Sequence, residues 1–148
     1  MKLEEEIRQS KFASEKHKAN LNLLFTSSWL ESKISSALKP YGISPQQYNI
    51  LRILQGQKGK PATIKLLTER MLDKMSNTSR LVEKLKSKNL VQRIECEKDR
   101  RQVDILLTER GVQVLSECTK AVEAVHLGMK LKENDARMLN ELLDKLRA

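Results

Sequence analysis

Two short runs of this 148-residue chain carry side chains suited to gripping a polyanion. In the first, Ser76, Asn77, Arg80, Lys84 and Ser87 fall on one face of a 100°-per-residue helix, with Lys88 further along. The opposite face takes the apolar Met75, Leu81, Val82 and Leu85, with Thr78 among them. The second run, Cys96-Glu97-Lys98-Asp99-Arg100-Arg101, concentrates three cations in a polar tip. Hydroxyl, amide and guanidinium donors near the start of such a helix can meet base edges, and ammonium groups further along can meet phosphates. An isolated helix with this face would more often be an ordinary solvated surface. The tip weighs against that, because Lys98, Arg100 and Arg101 stand where a solvent-facing hairpin usually has Gly or Asn turns.

Placing those side chains requires a change of hydrophobic period that no single helix can supply. The spacing predicts a short helix over Ile64 to Leu72, with Asp73 as a candidate cap for a second helix over about 74–88. From Val103 the period becomes two, with Val103, Ile105 and Leu107 on one side and Gln102 and Asp104 on the other. A short strand over Leu90 to Glu95 precedes it, which makes residues 91–107 a two-stranded ribbon with a cationic tip. Helix, basic-faced helix, then ribbon is the order of a winged helix-turn-helix, here spanning residues 44–110.

The run Asp99-x-Arg101, followed by Leu107-Thr108 and Gly111, resembles the D-x-R…L-T-x-x-G wing signature of the MarR family of bacterial transcriptional regulators. Ser79-Arg80-Leu81-Val82-x-x-Leu85 is similar to that family's recognition-helix pattern. Asn89 departs mildly from it, standing where many members have Gly, but Asn tolerates the left-handed backbone of a helix end. The resemblance implies that Arg101 enters a flanking minor groove while Asp99 holds its guanidinium. A narrow minor groove attracts Arg, and a carboxylate can fix the fork before binding. It also implies a homodimer with interlocked terminal helices and a small-molecule pocket between them and the winged domain. Trp29, Tyr41 and Tyr48 are the candidate lining residues, with His17 a weaker one; each is also an ordinary core or surface residue. Peroxide-sensing members carry a cysteine in the first helix, and this chain has none there.

The flanks read as helices. Leu21, Leu24, Phe25, Ser28 and Leu30 to Ile34 repeat at helical spacing within residues 4–38, and Pro40 ends the pattern. Ser44 with Pro45 opens another helix that runs to Gly56. Gly56-Gln57-Lys58-Gly59 then reads as a turn; it matches the G-x-x-G of an RNA clamp, but without the strands such a clamp needs. Thr108 is the expected N-cap of a long helix lined by Val112, Leu115, Val122 and Val125 up to Gly128. A last helix from about Asn134 carries Met138, Leu139, Leu142, Leu143 and Leu146. These stripes could close a monomer core, but they exceed what a small winged domain covers. Residues 1–40 and 112–148 are therefore expected to dimerise. The predicted class is mainly α with a small β-wing.

A formal net charge of +9 favours an anionic partner without telling DNA from RNA or an acidic membrane. Residues 60–110 hold 13 Lys and Arg against 8 Asp and Glu, whereas residues 111–148 balance at 6 of each, so the C-terminal part is the least suited to a polyanion. The two cysteines, Cys96 and Cys118, show neither metal-site spacing nor the density of a disulfide scaffold, and a reducing cytoplasm is expected. A redox role would need a stabilised thiolate. The polar start MKLEEEIRQSKF does not read as a signal peptide. With only His17 and His126, no Gly-rich phosphate loop and no nucleophile elbow, neither an enzyme, a cofactor nor a metal is expected. The expectation is a homodimeric regulator, a repressor on a pseudo-palindromic DNA operator, with a small-molecule effector left open. The alternative is a non-regulatory architectural DNA-binding or RNA-binding protein.

Overall fold

Pro40 and Gly42 divide the long N-terminal helix from the rest of the chain. The computed structural model describes residues 1–95, 98–99 and 102–148. A short helix α1 (Leu3–Glu6) is followed by α2 (Glu15–Leu38), so the predicted helical stretch 4–38 is two helices. Ser14 caps α2 by accepting from the His17 amide at 3.1 Å, and the Lys18 ammonium pairs with the Glu4 carboxylate to hold α1 against it. A single 3₁₀ turn over Lys39–Tyr41 takes the proline, and Gly42 turns the chain at φ +65°. Helix α3 (Pro45–Gly56) begins as expected: Ser44 and Gln47 exchange side-chain and backbone hydrogen bonds in a capping box, with Pro45 at the first helical position.

After the turn at Gly59 come β1 (Ala62–Thr63), α4 (Ile64–Arg70), α5 (Thr78–Ser87), β2 (Val91–Glu95) and β3 (Val103–Leu107). The sheet order is β1-β3-β2, all antiparallel, with Ala62 opposite Ile105 and Val91 opposite Leu107. The ribbon over 91–107 is where the period of two placed it. Two-residue β1 was not foreseen, since so short a strand has no readable period. Helix α6 (Glu109–Leu127) follows, capped by Thr108 as expected, and α7 (Glu133–Leu146) ends the chain.

One core joins α3, α4, α5, the sheet and the inner face of α6. Leu51, Leu67, Leu85, Ile105 and Leu115 are fully buried in it, each stabilising the fold by about 1.5–3 kcal/mol. Helix α6 crosses the end of the sheet at close range: the Thr108 amide donates to the Leu90 carbonyl at 3.1 Å, and the Thr108 hydroxyl donates to the Asn89 carbonyl at 2.6 Å. Asn89 holds φ +59°, the left-handed conformation that its side chain tolerates. Val112, expected on the buried stripe of α6, is 47% exposed, because it faces a shallow pocket with Leu54, Leu106 and Leu107 rather than the core.

The terminal helices contribute little to that core. Of the 24 residues of α2 only Leu38 is buried, and α7 buries none. Met138, Leu139, Leu142 and Leu146 stay between 44% and 61% exposed, an uncovered apolar stripe. Among the described residues no helix is long and apolar enough to cross a membrane.

Candidate nucleic-acid interface

The segment between α4 and α5 differs from the expected helix start. The chain leaves α4 at Met71, which is buried, and does not re-enter a helix until Thr78. Asp73 caps a tight turn instead of α5: its Oδ1 accepts from the Met75 amide at 2.9 Å and its carbonyl from the Ser76 amide at 3.3 Å. Asn77 is the true N-cap, its Oδ1 accepting from the Arg80 amide at 3.1 Å. The predicted helix 74–88 therefore shortens to Thr78–Ser87, and Met75, expected on the apolar face, is 92% exposed. Its backbone is committed to the turn, which removes it from the helical face that Thr78, Val82 and Leu85 bury.

Arg80 and Lys84 are exposed on α5 as expected, and Asn77 is exposed at its cap. They line a cleft of about 370 Å³ with Ser76, Asp73, Leu81 and Gln46 of α3. Ser76 Oγ is buried there with no hydrogen-bond partner, and Thr78 Oγ1 is likewise unpartnered. On the other side of α5 a larger cleft, about 550 Å³, is lined by Lys65, Ser79, Arg93, Asp99 and Gln102, among others. The exposed face of α5 thus stands as a ridge between two polar grooves. The Glu83 carboxylate pairs with the Arg93 guanidinium, tying α5 to β2 of the wing. Lys65 and Arg93 were not anticipated as site residues; neither lies in the two polar runs, and only the fold brings them beside Ser79.

Lys88 was expected to meet phosphates, but its ammonium donates to the Gly42 carbonyl, across the joint that follows α2. Lys74 is similarly engaged, donating to the Glu69 carbonyl at 2.6 Å at the end of α4. Lys98 and Asp99 are exposed at the wing tip, where the Gln102 amide donates to the Asp99 carbonyl at 3.0 Å. Arg100, Arg101 and Cys96 lie outside the described residues.

The three aromatic candidates for an effector pocket are not brought together. Trp29 lines a cavity of about 350 Å³ between α1 and α2 with Leu3, Asn22, Phe25 and Thr26. Tyr48 instead directs its hydroxyl to Thr119 Oγ1 of α6 at 3.5 Å, and Tyr41 packs half-buried against the core. His17 is exposed and its Nδ1 accepts from the Ala13 amide at 3.3 Å, a capping role. Cys118 is fully buried in α6, and burial, with a smaller contribution from Glu117, pushes its thiol up to about 11, so its environment opposes the thiolate a redox role would require. Among the described residues no group of three His, Cys, Asp or Glu side chains could hold a metal ion.

A family model described as MarR family matches residues 41–102, from the joint after α2 to the wing. The chain is 28% identical over 113 residues to the HTH-type transcriptional regulator MgrA of Staphylococcus aureus, covering 76% of this chain and 75% of that one. A cysteine-to-serine mutant of MarR from E. coli, solved in complex with operator DNA, shares the fold with a TM-score of 0.78 at 21% identity, covering 93% of this chain and 99% of that one. The organohalide-sensing RdhR regulator, solved in a 2,4-dichlorophenol-bound form, superposes with a TM-score of 0.83 at 19% identity, covering 94% and 85% of the two chains. The matched segment contains α5, most of the lining of its two flanking clefts and β2, the strand tied to α5, and in sequence and fold the chain is similar to MarR family winged helix-turn-helix proteins.

Proposed function

We propose that this protein is a DNA-binding transcription regulator that acts as a homodimeric repressor on a pseudo-palindromic operator. The observation that carries the reading is the exposed face of α5, with Asn77, Arg80 and Lys84 outermost and the wing held beside it by the Glu83–Arg93 pair. An α-helix fits the major groove, Arg80 offers a two-pronged donor for guanine, and Lys84 meets phosphate. The wing then reaches the flanking minor groove, where Arg101, with Asp99 beside it in sequence, supplies the cation that a narrow groove attracts. Binding of operator DNA by a MarR relative of the same fold supports the assignment.

In this reading residues 44–110 contact DNA, and residues 1–40 and 112–148 join two protomers. The exposed stripe of α7 and the nearly unburied α2 support that division, since both faces otherwise stay in water. A twofold dimer presents two copies of α5 about one helical turn of DNA apart, roughly 34 Å. The cavity beside Trp29 is the place for a small apolar effector, a role supported by a relative solved in a ligand-bound form.

Selection of bound duplexes from a random pool tests the assignment, with light scattering on the same preparation. The expected result is an enriched palindrome bound by a species of twice the chain mass. Enrichment of no sequence would overturn operator reading and leave an architectural or RNA-binding role. A monomer unchanged by removing residues 134–148 would overturn the assignment of the terminal helices.

A further inference from the structure

Most large apolar side chains left in water belong to the terminal helices, but Leu72 and Met75 do not. They stand 87% and 92% exposed in the turn before α5, away from both the core and the terminal stripes. We infer that Met75 is a specificity-determining residue that contacts the 5-methyl group of a thymine in the major groove. This inference rests on the DNA-reading role proposed above.

The turn that presents Met75 is fastened at four points. The Leu72 amide donates to Asn49 Oδ1 of α3 at 2.9 Å, and the Lys74 ammonium caps the Glu69 carbonyl. The Met75 amide donates to Asp73 Oδ1, and the Ser76 amide to the Asp73 carbonyl. An apolar side chain held out on so constrained a backbone is displayed by the architecture, and its exposure is not the result of a slack loop.

Its neighbours identify what it meets. Ser76, Asn77, Arg80 and Lys84 line the adjoining cleft, a hydrogen-bonding and cationic surround that suits a polyanion and disfavours an apolar protein face. Met75 lies three residues before the first residue of α5, at the end of a recognition helix that approaches base edges. Among the groups that base pairs present in the major groove, the thymine C5-methyl is the apolar one. An unbranched thioether with three rotatable bonds adapts readily to such a contact. Leu72 lies on the α4 side of the Asp73 turn and serves as the control.

In the enriched operator, each thymine is replaced in turn by deoxyuridine, which removes only the methyl group. Affinities are then measured by fluorescence anisotropy for the wild type, Met75→Ala and Leu72→Ala. Wild type should lose about fourfold in affinity at one thymine position per half-site, and about sixteenfold when both half-sites are changed. Met75→Ala should bind the two forms equally, and Leu72→Ala should discriminate as the wild type does. The thymine scan on the wild type does not depend on any variant folding, and thermal melts check the variants. Wild-type indifference to every replacement, an enriched half-site without thymine, or undiminished discrimination by Met75→Ala would overturn the inference while leaving operator binding intact. Failure to enrich any sequence would overturn the DNA-reading proposal itself.

Discussion

A Cβ on residue 111 would overlap the carbonyl oxygen of Leu90 and lie 3.0 Å from its carbonyl carbon, so Gly111 is what lets α6 cross the end of β2. The same carbonyl accepts from the Thr108 amide, and Thr108 Oγ1 accepts from the Gly111 amide at 2.9 Å. The Leu107-Thr108 and Gly111 part of the wing signature is therefore a packing device, joining the ribbon to the helix that leaves it. Gly111→Ala must push α6 off Leu90, and overpacking of this kind costs about 3 kcal/mol. Urea unfolding should show a lower midpoint for Gly111→Ala; an unchanged midpoint would mean that the crossing is looser than described.

Lys84 and Lys88 look interchangeable along the sequence, yet the structure gives them different tasks. Lys84 is exposed beside the α5 cleft, whereas Lys88 is spent on the Gly42 carbonyl. If Lys84 neutralises one phosphate per protomer, Lys84→Gln should flatten the slope of log affinity against log salt by about 1.8 for a dimer. Lys88→Gln should weaken binding with the slope preserved, because it loosens the joint and removes no phosphate contact. Equal slope changes for both variants would show that Lys88 leaves Gly42 on binding.

How much of this could be read beforehand depended on whether the pattern was local. The ribbon, the Ser44 and Thr108 caps and the left-handed Asn89 follow from period and cap chemistry within a few residues, and all are present. The start of α5 was misplaced because Asp73 and Asn77 are both good caps. The choice between them turns on contacts from elsewhere, including Asn49 of α3, which holds the intervening turn. Lys65 and Arg93 joined the site only through tertiary approach, and the tie from Lys88 to Gly42 was not legible because a charge pattern carries no information about a carbonyl 46 residues away.

The Glu4–Lys18 pair makes the docking of α1 pH-dependent. The hydrogen bond from Lys18 holds the Glu4 carboxyl below its ordinary value of 4.5, so its contribution is present above that value and lost as pH falls through the lowered one. The bond to Glu4 raises Lys18 above 10.5, so its contribution is present below that value and lost as pH rises through the raised one. Trp29, the one tryptophan, shares a cavity with Leu3 of α1 and reports the release. Its emission should shift as pH drops below 4.5, and Glu4→Gln should show the shifted emission already at neutral pH. Identical titrations for the two proteins would detach Trp29 from this pair.

Cys118 should be inert in the folded protein. With the thiol raised to about 11, only about one molecule in a thousand carries the thiolate at pH 8, and the surrounding core blocks approach. In a Cys96→Ser background, iodoacetamide should label nothing until denaturant is added. Rapid labelling of the native protein would show that α6 opens.

The order β1-β3-β2 leaves the outer side of β2 without a strand beside it among the described residues, a row of backbone donors and acceptors that another chain could extend. The strand is five residues long, and its exposed Gln92, Arg93 and Glu95 surround a single exposed isoleucine, Ile94. Short length and alternating charge are how natural sheets keep such borders from recruiting one another. Arg93 thus serves a second purpose beyond its tie to Glu83: with Glu95 it keeps charge on a margin whose backbone groups would otherwise be open to another strand.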